Sequence, residues 1–530
     1  MSRTGLVKPV IKVRDLTDSR LLPISRSLAF RVNSLRHSVW GGPKELTMTA
    51  FGDAASLFEL ATALRCPVEV YDQASRLVWW GYVNTVTIKV DAMKLGLSLS
   101  TMYNRVRVEY NEVRSGARVL GSPQMTAWVE DADSVAEYGT REIQETLHDA
   151  TQLQAETLRD LLLDRQKLPV AKWDTSGHSG SYSAAVQCVG WFNSLNWTRY
   201  SLDEGYEMYD DPGEGIQDVG NADVTNSAAQ LFQVTGSKTY KAHSVEIRYR
   251  KEGNPTDNIK VSLWSLSGGA PLAQIAQGTA AGTSSPTDYT RVTFIMDVNP
   301  DMVPGTDHWI VISRTGADDG TNYYKVDLNE DAGYALGEAK QYKLSTTTWS
   351  TRSPAADFLF NLTGVRETSE QIEDIVTSNG EFINTFFRDV DSGVYTSPYR
   401  ESELPAGEEI IALCKLGSDN SRRLIPYVDV NRNFFLTEEP VEPEALDIPS
   451  WFLTSTGRLK TSNHASIDPH VIPVGVWARM KHETPVNKNS LLVNQVDTVF
   501  IEEFSYNFAT RRVSIYPRDI SSPWDIGVQA

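Results

Sequence analysis

Between about Tyr206 and Leu362 the chain reads as a run of short strands, and that run limits the possible folds more than any other feature. Val245-Ile247-Tyr249, Ile259-Val261-Leu263 and Phe358-Phe360-Leu362 place apolar side chains at every second residue. That is the period of a strand with one face buried. Gly253-Asn254-Pro255, Ser267-Gly268-Gly269 and Asp319-Gly320 supply the turns, through residues that tolerate tight backbone geometry. On both flanks the pattern changes to mixed helix and strand. A β-sandwich with its own core, inserted into a different host, is the expected layout: a scaffold that displays a passenger.

A chain of 530 residues exceeds what one hydrophobic core organises, so several domains are expected. Lys+Arg number 50 against 68 Asp+Glu, a net charge of −18. This balance opposes a role as a specific nucleic-acid binder, which draws affinity from neutralising phosphates, and favours solubility. Cys66, Cys188 and Cys414 are odd in number, far apart and in apolar surroundings, so buried reduced thiols are expected rather than a disulfide. The opening residues from Met1 to Pro9 hold no apolar core of a signal peptide. Nowhere does an apolar run approach the ~20 residues of a membrane helix. Synthesis in a reducing cytoplasm follows as the expectation.

Along the chain, Asp53 is placed to cap a short helix carrying Leu57, Leu60, Ala61 and Leu64, which Pro67 ends. Val68-Val70, Leu77-Val83, Val86-Val90 and Val106-Tyr110 read as strands, giving a small β-barrel over residues 1–113. Ile143, Leu147, Ala150, Leu158, Leu161 and Leu162 recur at helical spacing, which predicts one long helix from Glu137 to Arg165 within residues 114–204. Trp173, Val186, Val189, Trp191, Phe192 and Trp197 read as aromatic-rich strands leading to the insert, residues 205–364. In residues 365–440, Ser369 is placed to cap a helix with Ile372, Ile375 and Val376. A second helix is expected over Glu408–Leu416, and a hairpin turns at Asn431-Arg432-Asn433. Residues 441–530 return to strand, with a turn at Ala509-Thr510. The expected class is mainly β with minor α (α+β): several β-barrel or β-sheet domains plus an inserted antiparallel β-sandwich.

Several stretches outside the insert resemble the tail hub (baseplate hub) proteins of tailed bacteriophages. They are Cys66-Pro67-Val68-Glu69-Val70-Tyr71-Asp72 with Trp79-Trp80-Gly81-Tyr82-Val83, then Ser100-Thr101-Met102-Tyr103-Asn104-Arg105-Val106-Arg107-Val108. Tyr138-Gly139-Thr140-Arg141-Glu142 follows, and after the insert Asp391-Ser392-Gly393-Val394-Tyr395 and Arg422-Arg423-Leu424. The resemblance implies a homotrimeric virion protein, ring-shaped at the tail tip and made in the host cytoplasm. It would join a tube or distal tail protein above to a tip or fibre protein below. In the insert, Ala229-Gln230-Leu231-Phe232, Val245-Glu246-Ile247 and Gly253-Asn254-Pro255-Thr256 are similar to jelly-roll modules of the choice-of-anchor or carbohydrate-binding kind. That likeness implies contact with host surface polysaccharide. The competing expectation is a secreted or surface glycan-binding or glycan-active protein whose sandwich is the working part.

Sugar recognition on a sandwich needs aromatic rings that stack on apolar sugar faces, with Asp, Asn or Gln bonding hydroxyls. Trp264, Trp309, Tyr323, Tyr324 and Trp349 are the candidates, with Asp318, Asp319 and Asn322 close in sequence. Core packing competes for every such ring, since each buries a large apolar surface. Trp264 follows the inward-phase Leu263, which points it outward. Asp429-Val430-Asn431-Arg432-Asn433 opens like a calcium loop, but Phe434 stands where glycine is required and Pro440 where the bidentate Glu belongs. Asp389-Val390-Asp391-Ser392-Gly393 fails likewise, with Arg400 at the last position. His482-Glu483 lacks the second His of a zinc protease. No phosphate loop, nucleophile elbow or Cys-x-x-Cys pair occurs. No catalytic residue, metal or cofactor is expected.

Overall fold

The computed structural model describes residues 9–72, 75–113, 120–169, 171–174, 182–211, 215–222, 225–331, 333–343, 348–352, 355–388, 392–440, 446–449, 458–460, 477–481, 498–508, 512–518 and 524–527. The class is mainly β with minor α, built from several largely antiparallel sheets and a few helices. The chain divides into two compact units. One comprises Met1–Tyr200, Ile372–Gly393 and Leu404–Ala530, the other Ser201–Gln371 and Val394–Glu403. The Asp389-to-Asp391 string, Ala509-Thr510 and His482-Glu483 lie outside the described residues.

In the first unit the largest sheet draws on both ends of the chain. The strand Ala29–Ser38 pairs with Gly42–Phe51 on one side and with Thr498–Asn507 on the other. Its core gathers Val32, Leu46, Met48, Leu57, Val68, Trp79, Val86, Ile88, Val186, Ile501 and Phe504. Asp53 caps the helix Ala54–Glu59 by accepting from the Ser56 amide at 2.9 Å, and a 3-10 turn carries Leu60 and Ala63 into the core. Leu77–Val90 is one continuous strand rather than two. Its first half pairs with Pro67–Tyr71, its second with both Ser183–Val189 and Met93–Ser98. That lateral bonding carries it through Asn84-Thr85.

Three expectations are corrected here. Arg105–Val113 does not close the N-terminal strand set. It belongs to a separate four-stranded sheet with Leu120–Met125, Val129–Glu130 and Glu142–Leu147. The long helix from Glu137 to Arg165 is three elements: a helix Ala132–Tyr138, the strand Glu142–Leu147 and a helix Gln152–Gln166. Gly139 ends the first at φ +76°, a left-handed backbone that suits glycine. Thr151 and Gln154 form a capping box that starts the last. Between them, Glu142–Leu147 pairs in parallel with Arg105–Val113, and Arg105 donates to Glu142 at 2.9 Å. Finally, Trp191–Trp197 is a 3-10 helix, not a strand.

Downstream, the helix Thr368–Asn379 buries Ile372, Ile375 and Val376 and begins one residue before Ser369. Ala406–Leu416 is helical. Leu424–Val428 and Asn433–Glu438 form the expected hairpin. Asp429 accepts from the Asn433 backbone N–H at 2.8 Å and its Nδ2 at 3.0 Å, which uses the carboxylate as a turn former.

The second unit is built on two antiparallel sheets. A nine-stranded sheet contains Tyr206–Tyr209, Phe360–Glu367, Tyr240–Glu252, Tyr323–Asn329 and Gly215–Val219 as its spine. A six-stranded sheet runs in the order Ala270–Ala281, Asn258–Ser267, Asp307–Arg314, Ser227–Gln233, Ala339–Lys343, Thr348–Thr351. Val245, Ile247, Tyr249, Val326, Phe360 and Leu362 of the first pack against Phe232, Ile259, Val261, Leu263, Ile310 and Ile312 of the second in one buried core. The alternation seen in the sequence is this inner face. Phe358-Phe360-Leu362 is divided between Asp357–Phe358 and Phe360–Glu367. Beyond the expected insert, Tyr395–Thr396 returns to pair with Arg366–Glu367.

Candidate ligand-binding face of the sandwich

Inner residues of the six-stranded sheet alternate with outer ones, and the outer set is not the polar surface that a solvated sheet presents. Trp309 lies directly across from Trp264 on one neighbouring strand and from Leu231 on the other. Ala229, Trp309 and Val311 are buried there, with Leu231, Trp264, Leu266 and Trp349 half-buried against them. Tyr342 and Trp349 are cross-strand partners whose rings meet at 5.4 Å. A β-bulge on either side of Trp264 interrupts its pairing with the edge strand Ala270–Ala281. The Trp264 indole is anchored by its Nε1, which donates to Ser262 Oγ at 2.8 Å.

The outer face of the nine-stranded sheet is different in kind. Arg248 pairs with Asp327 at 2.9 Å, Lys241 with Asp301 at 2.9 Å, Arg291 with Glu246 at 3.0 Å and Lys325 with Glu252 at 3.0 Å. A sheet face laced with such pairs is a solvated one. Residues 261–287, which contain the hairpin at the edge of the six-stranded sheet, carry no charged side chain. The sandwich therefore has one outer face laced with ion pairs and one centred on aromatic side chains, with Lys260 and Lys340 in its central aromatic strip.

Trp309 is fully buried although it sits on that outer face. Lys340 lies over it, with Nζ 5.4 Å from the centroid of the indole ring, and Leu231, Trp264, Leu266 and Trp349 pack around it. The ammonium donates to the carbonyl of Gly269 and pairs with Glu338 at 3.1 Å. Trp309 Nε1 has no hydrogen-bond partner among the described residues.

The structure thus brings Trp264, Trp309 and Trp349 together and separates the other candidates from them. Tyr324 is fully buried in the sandwich core, its hydroxyl donating to the Asp257 carbonyl at 2.7 Å. Tyr323 is half-buried under Lys325, 5.6 Å from its ring. Asp318, Asp319 and Asn322 hold a loop in shape. Asn226 donates to Asp318. Asp319 accepts from Asn322 Nδ2 and the Thr321 amide, each at 2.8 Å. The Asn322 side chain and the Thr321 amide hold the Asp319 carboxyl below the usual carboxylate range. Leu231, Leu266, Tyr342 and Lys340 were not legible as site residues, because only cross-strand register shows that they share a face. Among the described residues no three His, Cys, Asp or Glu side chains converge as metal ligands. No described helix is long and apolar enough to cross a membrane.

No family model matches the sequence, and no curated protein matches it. Solved structures that align with it are distant. The clostridial cysteine protease Cwp84 after propeptide cleavage aligns over 63% of this chain and 70% of its own at 11% identity, with a TM-score of 0.22. The mosquito-larvicidal Cry4Aa toxin from Bacillus thuringiensis aligns over 60% and 57% at 10% identity, TM-score 0.16. Infectious bursal disease virus, Gt strain, aligns over 67% and 83% at 8% identity, TM-score 0.17. Likenesses of this size carry no weight for fold or activity.

Proposed function

We propose that this chain is a structural assembly protein, a homotrimeric hub of a bacteriophage tail tip, whose sandwich presents a surface to host glycan. The hub part of the reading rests on the four stretches that resemble tail hubs. The host-and-guest layout accords with it, since Ala29–Ser38 takes a partner strand, Thr498–Asn507, from beyond the guest. The observation that carries the adhesive part is the contrast between the two outer faces of the sandwich, one ion-paired and one aromatic. A partly exposed apolar cluster on an outer sheet face suits binding, and indole rings suit the apolar faces of sugars. In this reading the hub sits between a tube or distal tail protein above and a tip or fibre protein below.

The deciding measurement is the mass of the purified full chain by light scattering, paired with negative-stain imaging. A stable trimer or three-fold ring is the expected result. A monomer that binds or cleaves polysaccharide would replace the hub reading with that of a glycan-active protein.

A further inference from the structure

The buried indole nitrogen of Trp309 is an anomaly. A donor shut away from water without an acceptor costs about 1–3 kcal/mol, and this one lies in the small outer-face cluster rather than in the main core between the two sheets. Over the ring, beside the aromatic and aliphatic neighbours that flank it, lies the side chain of Lys340, a flexible stem that is itself only 14% exposed. Its ammonium is tied to the carbonyl of Gly269, in the exposed Gly268-Gly269 turn, where both residues have positive φ and a Cβ added at Gly268 would meet nothing within 4 Å. Both anchors of the lysine are thus open to replacement by solvent: an exposed glycine turn and a partly exposed Glu338.

We infer that Lys340 is a displaceable cover, and that an uncharged polysaccharide chain takes its place. The sugar chain lies across the strands from Trp264 to Trp349 and accepts a hydrogen bond from Trp309 Nε1. The two outer tryptophans are four strand spacings apart in the sheet order, which at the usual spacing is roughly 19 Å. That span suits several linked sugars rather than one. An uncharged ligand is favoured because residues 261–287 offer it no ion pair, and the ammonium groups of Lys260 and Lys340 on this face have partners within the sheet, Gln274 and Glu338, the latter pair re-forming in solvent when the lysine swings aside. The half-buried indoles of Trp264 and Trp349 supply stacking, while the Trp309 N–H supplies a buried donor that a sugar oxygen can satisfy. This inference rests on the adhesive part of the proposed function and adds to it the class of glycan and its gate.

The test uses the full chain and three variants, Lys340→Ala, Lys340→Thr and Trp264→Ala, each checked for an unchanged urea midpoint; threonine is the second choice because it suits a strand. Mobility is measured in native gels containing dextran, a mixed-linkage β-glucan, a mannan or, as the acidic comparison, alginate. At least one neutral polysaccharide should retard the parent protein, Trp264→Ala should abolish the retardation, and removal of the lysine should tighten binding by about threefold, because a closed fraction no longer dilutes the competent state. Oxidative footprinting read by peptide mass should find Trp309 protected in the parent, modified in the lysine variants and protected again on adding the polysaccharide. Equal or weaker binding by both lysine variants overturns the cover and leaves the adhesive reading standing. Retardation by alginate alone overturns the uncharged class. No retardation by any gel overturns both.

Discussion

The guanidinium of Arg141 lies over the ring of Trp197, 4.3 Å from its centroid, inside the first unit. Trp197 meets Tyr82 at 5.5 Å and Phe382 at 5.2 Å, Tyr82 meets Trp191 at 5.2 Å, and Arg432 covers Trp191 at 5.4 Å. Residues from before and after the guest thereby build one aromatic stack. Burial pushes the Arg141 guanidinium down to about 10, and stacking on the electron-rich indole face compensates part of that cost.

Trp197→Ala should destabilise the first unit by ~3–5 kcal/mol, the range for a buried aromatic truncated to alanine. Urea unfolding followed by near-ultraviolet circular dichroism reads it. A loss under ~1 kcal/mol would remove the stack from any role in rejoining the host.

Acid should weaken the first unit through His37. Its ring is fully buried against Phe504, with centroids 4.9 Å apart and planes 6° from parallel, and Nε2 donates to the Val78 carbonyl at 2.9 Å. Burial lowers its pKa from 6.5 to about 4, outweighing the hydrogen bond that favours the charged form. The fold thus prefers neutral His37. Its contribution is complete above pH 6.5 and is lost as the pH falls from there through 4, about 3 kcal/mol in all. His37→Phe should flatten that part of the pH profile of the urea midpoint; an unchanged slope would assign the acid sensitivity to other groups.

Gly190→Ala should cost ~1–3 kcal/mol by overpacking. A Cβ at Gly190 would stand 1.6 Å from the Pro43 carbonyl oxygen, which is backbone and cannot swing aside. A melting temperature equal to the parent's would mean that the two segments are looser than their geometry implies.

Removing residues 207–362 and closing the gap with a short Gly/Ser link should leave a soluble protein with the parent's oligomeric state. Tyr206 and Thr363 are cross-strand partners in an antiparallel pair, so the cut ends already lie side by side. The guest's core is built from its own two sheets. Aggregation of the shortened chain, seen by light scattering, would show that the host depends on the guest.

Where a pattern repeats every second residue and one face is buried, as in Val245-Ile247-Tyr249, the sequence alone predicts the strand and its inner face. The Asp53 cap and the turn at Asn431-Arg432-Asn433 were equally legible, because a cap and a turn are set by neighbours in the chain. Glu142–Leu147 was not. Its Ile143 and Leu147 fit a helical stripe, and only its parallel backbone pairing with Arg105–Val113, distant in sequence, makes it a strand.

What the amino-acid order determined by itself was the mainly β class, the presence of a self-contained alternating run, and a set of aromatic residues within it. What the tertiary structure alone decided was which of those aromatics share a surface: Trp264, Trp309 and Trp349 together, Tyr324 in the core. The reason is physical. Side-chain direction along one strand follows from local backbone geometry, whereas membership of a face depends on register across several strands, which distant segments settle only when they pack.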